Sequence, residues 1–287
     1  MEVGYWTIRG LGAPLRMICE YSEKPYTSVN CDCTEVAGGG WDMSLWFGPK
    51  EALKAVNPRM NLPCVAASKS TREGGYDTSA AGTARLPPGG VVLLSSRSPH
   101  HKFTHHSRYL KDTDGTLIAQ TNACLRYLGT KYALLGETPK EQVVVDELLC
   151  EAMDLRNAMF TVFYMGSKAG LEGLLSHASL AKLEASIGAG PFTLGAKPNV
   201  SDFHIAELVD QLLLIKAFGK YEAAFEYPKL RALRNALWAE PKLAKYFSSP
   251  LSKLPVNNKM ACFGATPSGG DWVPGQSHDW GSVTNTV

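Results

Sequence analysis

From Pro139 onward the apolar residues of this chain return every three or four positions with almost no strand signal, and that rhythm constrains the fold more than any single motif. Residues 140–165, 180–187, 200–218 and 230–247 all read as helices, the third so apolar that it must be buried on most sides. The chain before Pro139 is different. Residues 4–8 form a short β-prone run, Gly10-Leu11-Gly12 turns it, and Pro14 opens a helical pattern at Leu15, Ile18, Cys19 and Tyr21. Residues 26–33 read as a second strand, and Gly38-Gly39-Gly40 as a loop. Further on, residues 109–111 and 116–118 flank Asp112-Thr113-Asp114-Gly115, a hairpin turn, and a helix is predicted over 121–132. The fold class is therefore an α+β unit over residues 1–135 followed by an all-α helical bundle over 139–264, with Gly136 and Pro139 at the joint.

One stretch fits neither unit. Of the 45 residues from 64 to 108, 19 are Ser, Gly, Thr or Pro, no period is sustained, and the net charge is +4 against −2 for the rest. So long a structureless loop inside a compact unit is improbable, and it is read as a disordered insertion. Val65 needs a codon beginning GT, as most introns do, so a translated intron or a gene-model error is the expected origin. Its His100-His101 and His105-His106 lack Cys or carboxylate companions and are read as no functional metal site. Residues 265–287 are read as a flexible tail.

Composition excludes several classes of function. With 29 Lys and Arg against 27 Asp and Glu, no overall field recruits nucleic acid. No run approaches the roughly 18 to 20 apolar residues of a membrane helix, and Met1-Glu2-Val3-Gly4 lacks the basic start of a signal peptide. Seven scattered cysteines without a Cys-x-x-Cys pair suit a reducing cytoplasm, and Cys31 and Cys33 are read as strand packing.

Gly4-Tyr5-Trp6, Ile8-Arg9-Gly10-Leu11, Trp46 with Lys50, Asn61-Leu62-Pro63 and Gln120-Thr121 follow one another in an order that resembles the mu class of cytosolic glutathione transferases. The likeness continues through Met153-Asp154, Tyr164, Asn199-Val200-Ser201-Asp202-Phe203, Ser248-Ser249, Pro255-Val256 and Lys259-Met260-Ala261. It spans residues 3–63 and 109–264. The resemblance implies a thioredoxin-like N-terminal domain with a mixed four-stranded sheet, a homodimer, and conjugation of glutathione to apolar electrophiles in detoxification. It implies no cofactor, glutathione being a co-substrate, and no metal.

By the same resemblance Tyr5 is the catalytic residue, donating its O–H to the glutathione sulfur; a thiol of pKa ~8.5 is only a few per cent ionised at neutral pH unless its anion is stabilised. Trp6 and Leu11 border the tripeptide, and Trp46 N–H and Lys50 suit its glycyl carboxylate. Asn61, Leu62 and a cis Pro63 present backbone to the cysteinyl unit. Gln120 and Thr121, at the start of a helix, meet the γ-glutamyl carboxylate, and Asp154 reaches the ammonium of the partner subunit's glutathione. Leu11, Met153, Tyr164 and Asn257 line the apolar second-substrate pocket, Asn257 making its wall more polar. Arg59-Met60 stands where the family has an aromatic key for its dimer. Asn199 and Asp202 are read as a helix cap rather than as catalytic groups.

Each assignment has a plainer alternative. Tyr5 can be a buried strand tyrosine, Trp46 and Lys50 a solvated helix-turn pair, Asp154 an exposed helix carboxylate, and Met153 with Tyr164 ordinary core. A ligandin-like carrier, an inactive paralogue and a glutathione-dependent isomerase stay open on sequence alone.

Overall fold

A computed structural model of the chain describes residues 1–37, 41–60, 109–165, 168–219, 225–265 and 285–286. The expected insertion, the Gly38–Gly40 loop and most of the expected tail lie outside these residues.

Strand β1 (Glu2–Trp6), helix α1 (Gly12–Tyr21) and strand β2 (Thr27–Cys31) open the fold, with β1 and β2 parallel in the register Gly4 to Val29 and Trp6 to Cys31. Two-residue strands β3 (Thr34–Glu35) and β4 (Trp41–Asp42) pair with each other, and helix α2 (Ser44–Val56) follows. The hairpin read from the sequence is present as β5 (Tyr109–Lys111) and β6 (Leu117–Ala119), antiparallel to each other, with β5 antiparallel to β1. Gly115 in its turn has φ 89°, the left-handed conformation for which glycine is suited. Helix α3 (Thr121–Lys131) then leads to the second unit.

That unit comprises α4 (Pro139–Met165), α5 (Lys168–Leu174), α6 (Ala178–Ser186), α7 (Val200–Gly219), α8 (Pro228–Trp238) and α9 (Ala244–Ser248). Its first helix is fastened by a Thr138-x-x-Glu141 capping box: Glu141 accepts from the Glu137 and Thr138 N–H groups at 2.7 and 2.9 Å and donates its own N–H to Thr138 Oγ1. α7 is the central rod, buried from Val200 through Leu212 and packed against α1, α3, α4, α5 and α8. The main apolar core runs through both units, joining Val3, Leu15 and Leu125 to Leu155, Phe163, Phe203 and Leu212. No described helix is long and apolar enough to cross a membrane.

The structure corrects the sequence reading in three places. The stretch 230–247 is two helices separated by a 3-10 turn at Pro241–Leu243, because Pro241 holds Glu240 extended at ψ 118°. The sheet has a fifth strand: β7 (Asn285–Thr286), within the stretch read as a loose tail, pairs antiparallel with β2 through Ser28 and Thr27. Helices α2 and α5 were not foreseen, the first because Gly48 and Pro49 interrupt its pattern and the second because it is only seven residues long with two glycines.

Candidate active site

Tyr5 is the penultimate residue of β1, just before a tight loop, residues 7–11, that doubles back over its ring. The ring is buried, 5% exposed, and its hydroxyl oxygen accepts a hydrogen bond from the Leu11 N–H at 3.1 Å. Two glycines make this approach possible. A Cβ on Gly10, which has φ 38°, would fall 2.7 Å from the Tyr5 oxygen, and one on Gly12 would fall 2.6 Å from the ring. A phenol has one proton to donate; with the Leu11 N–H occupying an oxygen lone pair, the O–H stays available as a polarised donor.

The loop is held from both sides. Arg9 and Gly10 donate their N–H groups to the carbonyls of Pro255 and Val256 at 2.7 and 3.1 Å, and the Arg9 guanidinium reaches Glu207 at 2.9 Å and Asp210 at 2.5 Å on α7. Arg234 also engages Asp210. The two carboxylates outweigh the cost of burial and drive the Arg9 guanidinium further toward its charged form. Beneath the loop, fully buried Arg16 donates to Ile8 O at 3.0 Å, Trp6 O at 3.4 Å, Ser28 Oγ at 3.0 Å and Asn30 Oδ1 at 2.8 Å. Sequence reasoning assigned Arg9 and Arg16 no role. The signal for Arg16 was present: a charged residue between Leu15 and Met17, in a run whose other members are apolar from Gly12 to Cys19, has to be paired inside.

Around Tyr5 lies a second apolar cluster, separate from the main core, of Trp6, Ile8, Leu11, Cys31, Cys33, Met43, Trp46, Met60 and Tyr109, with Met153 of α4 and Met260 packed on it. Residues distant in sequence meet here: Tyr5, Trp6, Leu11, Trp46 and Met153 share one cluster. The Trp6 and Trp46 rings are 6.0 Å apart and tilted, and Trp46 lies 6.1 Å from Tyr109. Burial pushes the Cys31 thiol up to about 11, which keeps it protonated and suits its packing role.

Several buried polar atoms of this region have no hydrogen-bond partner among the described residues. They include Nε1 of Trp6, Nε1 of Trp46 and Oγ1 of Thr121. An orphaned buried donor costs on the order of 1–3 kcal/mol, so such atoms are expected where a ligand supplies acceptors. Lys50 is also buried, one turn from Trp46, with its Nζ 5.4 Å from the Phe47 ring centroid. Gln120 is exposed and precedes α3 with φ 75°, a strained value for a residue with a side chain and one no sequence pattern reveals. Asn61, Leu62 and Pro63 lie outside the described residues. Met60 is buried in the Tyr5 cluster, its N–H bonded to Asn57 O, and Arg59 is exposed.

On α4, Asp154 is exposed. The Tyr164 phenol oxygen accepts the Asn258 N–H at 3.0 Å. Burial pushes the Tyr164 phenol above its ordinary value, with Tyr5 and Cys33 among the neighbours adding to the rise and the Asn258 N–H and Arg156 opposing it. Asn257 does not form a polar pocket wall. It is fully buried and gives its amide N–H to Phe263 O at 2.9 Å and its backbone N–H to Gly264 O at 2.8 Å, so it braces the C-terminal turn. Lys259, unforeseen, ties this turn to the sheet through Asp32 at 2.8 Å.

Residues 153–250 match the family model of the glutathione S-transferase C-terminal domain. The chain is 26% identical over 271 residues to human glutathione S-transferase Mu 3, covering 93% of this chain and 96% of that one. It is 27% identical over 268 residues to glutathione S-transferase Mu 5 of Rattus norvegicus, covering 92% and 95%. Among solved structures, glutathione S-transferase Blo t 8 superposes with a TM-score of 0.64 at 16% identity, covering 92% of this chain and all of that one. The pi-class enzyme of Onchocerca volvulus gives 0.58 at 19%, covering 91% and 98%. These structural likenesses agree with a thioredoxin-like domain followed by an all-helical one.

Proposed function

We infer that this chain, whose second unit matches the glutathione S-transferase C-terminal domain and which is similar to mu-class enzymes along most of its length, is a glutathione transferase. It joins the glutathione thiolate to apolar electrophiles. The observation that carries this reading is the Leu11 N–H bonded to the Tyr5 oxygen, since it turns an otherwise ordinary buried tyrosine into a fixed O–H donor at the mouth of a loop. A donor of this kind stabilises the sulfur anion before the electrophile arrives, so the barrier falls without a metal.

In this reading Trp46 and Lys50 take the glycyl carboxylate and Thr121, with Gln120 and the first N–H groups of α3, takes the γ-glutamyl carboxylate. The orphaned Trp46 Nε1 and Thr121 Oγ1 support those roles. Trp6 and Leu11 flank the tripeptide, and the backbone of Asn61, Leu62 and Pro63 receives its cysteinyl unit. Asp154, exposed on α4, reaches the glutathione of a second copy in a homodimer. Met153, Tyr164 and Leu11 border the electrophile. A detoxifying role in the cytoplasm goes with that chemistry. Retention on immobilised glutathione with elution by free glutathione, followed by conjugation of a neutral aryl chloride, tests the proposal; a folded protein that fails both refutes it.

A further inference from the structure

Arg156 stands out among the guanidinium groups. Arg9, Arg126 and Arg234 each rest on a carboxylate, and Arg16 is surrounded by four neutral acceptors. Arg156 is 4% exposed, and among the described residues its Nε has no acceptor and no carboxylate pairs with it. Its guanidinium lies over the face of Phe160, 5.5 Å from ring centroid to guanidinium carbon. Phe160 in turn stacks on Tyr164 with centroids 4.5 Å apart. Arg156, Phe160 and Tyr164 are spaced four apart on α4, so they form one column that runs from a buried cation along an aromatic platform to the Tyr164 phenol, which is close enough to Tyr5 for the two to interact electrostatically. Met153, three residues before Arg156, packs against the cluster that holds Tyr5 and Leu11.

A cation removed from water with only a ring face for company is costly, and the deficit is met when an anion binds. The planar fork of a guanidinium fits a carboxylate at two points, and a flat ring beside it fits Phe160 and Tyr164. Resting on the transferase reading of the Tyr5 site, we propose that the preferred electrophiles are aromatic compounds bearing a carboxylate, seated with the anion on Arg156 and the reactive carbon toward Tyr5. With a chlorinated dinitrobenzoate the step is balanced as follows: the thiol proton leaves to solvent, sulfur forms a bond to the ring carbon, and chloride departs with the carbon–chlorine electron pair.

The test uses the full chain and two substrates, 1-chloro-2,4-dinitrobenzene and 4-chloro-3,5-dinitrobenzoate. In R156Q the ratio of kcat/KM for the benzoate to that for the neutral compound should fall about tenfold, mostly through KM, and R156K should recover part of it. As a measurement free of variants, 3,5-dinitrobenzoate should inhibit wild-type conjugation of the neutral substrate about tenfold better than 3,5-dinitrobenzamide, with the advantage shrinking in high salt. Equal inhibition by acid and amide, or an unchanged ratio in R156Q, overturns the proposal while the transferase reading stands. So does a ratio unchanged in an R156Q that sediments as a monomer, because the guanidinium would then answer a carboxylate of a second copy. A wild type that conjugates neither compound removes both readings.

Discussion

At Tyr5 the decisive fact is a division of labour on one oxygen: the Leu11 N–H takes a lone pair, and the proton is left for the ligand. Replacing Tyr5 by Phe removes that proton and little volume, so turnover should fall about a hundredfold while the glutathione KM changes less than about threefold, as read by steady-state kinetics. Gly12→Ala should also cost activity, since its new Cβ would stand 2.6 Å from the Tyr5 ring and push the phenol off the loop; an Ala variant with full turnover would show that the phenol's exact placement is unimportant. This residue pair was half legible in the sequence. Tyr5 and the glycines were visible as a motif, but Leu11 as a backbone donor was not, because a main-chain N–H has no residue type to signal it. The strained φ of Gln120 is hidden for the same reason, and Asn257 was misread because nothing in a residue name says which way its amide turns.

At the scale of elements, the start of α7 is the clearest case of sequence dictating structure. Asn199 Oδ1 accepts the Ser201 N–H at 2.9 Å and Asp202 Oδ2 accepts the Asn199 N–H at 2.8 Å, the reciprocal cap expected from Asn-x-x-Asp, and the Thr193 N–H adds a third bond at 3.0 Å. Burial nevertheless pushes the Asp202 carboxyl up to about 6, against the pull of those N–H donors. The folded protein thus keeps a proton that the unfolded chain, with a carboxyl near about 3.9, has released. Stability from this group is greatest below about pH 4, declines as pH rises toward 6, and is level above. Denaturant titrations at the two ends of that interval should show wild type losing more stability than D202N; equal losses would acquit Asp202. Long periodic helices and the Asp-Thr-Asp-Gly hairpin were readable because period and turn chemistry are local. The 3-10 break at Pro241 and the short β7 were not, since they answer to a proline's neighbour and to a strand partner more than 250 residues away.

The whole molecule is held by a core common to both units and by a charged knot of Arg9, Glu207, Asp210 and Arg234 across them. Arg9→Met would strand the Glu207 carboxylate in the interior and leave Asp210 to Arg234 alone, and should lower unfolding free energy by about 3 kcal/mol, seen as an earlier midpoint in urea. With the core undivided, Trp fluorescence and far-ultraviolet circular dichroism should lose their signals together in one transition; two separated midpoints would mean independent domains. The loop over Tyr5 also donates two backbone hydrogen bonds to the carbonyls of Pro255 and Val256, so the chemistry of the fifth residue is underwritten by the last tenth or so of the chain. A protease cut or a premature stop just before that segment would therefore silence the reaction centre without touching any group that meets the substrate, and an engineer wanting an off-switch for this protein should look to its far terminus.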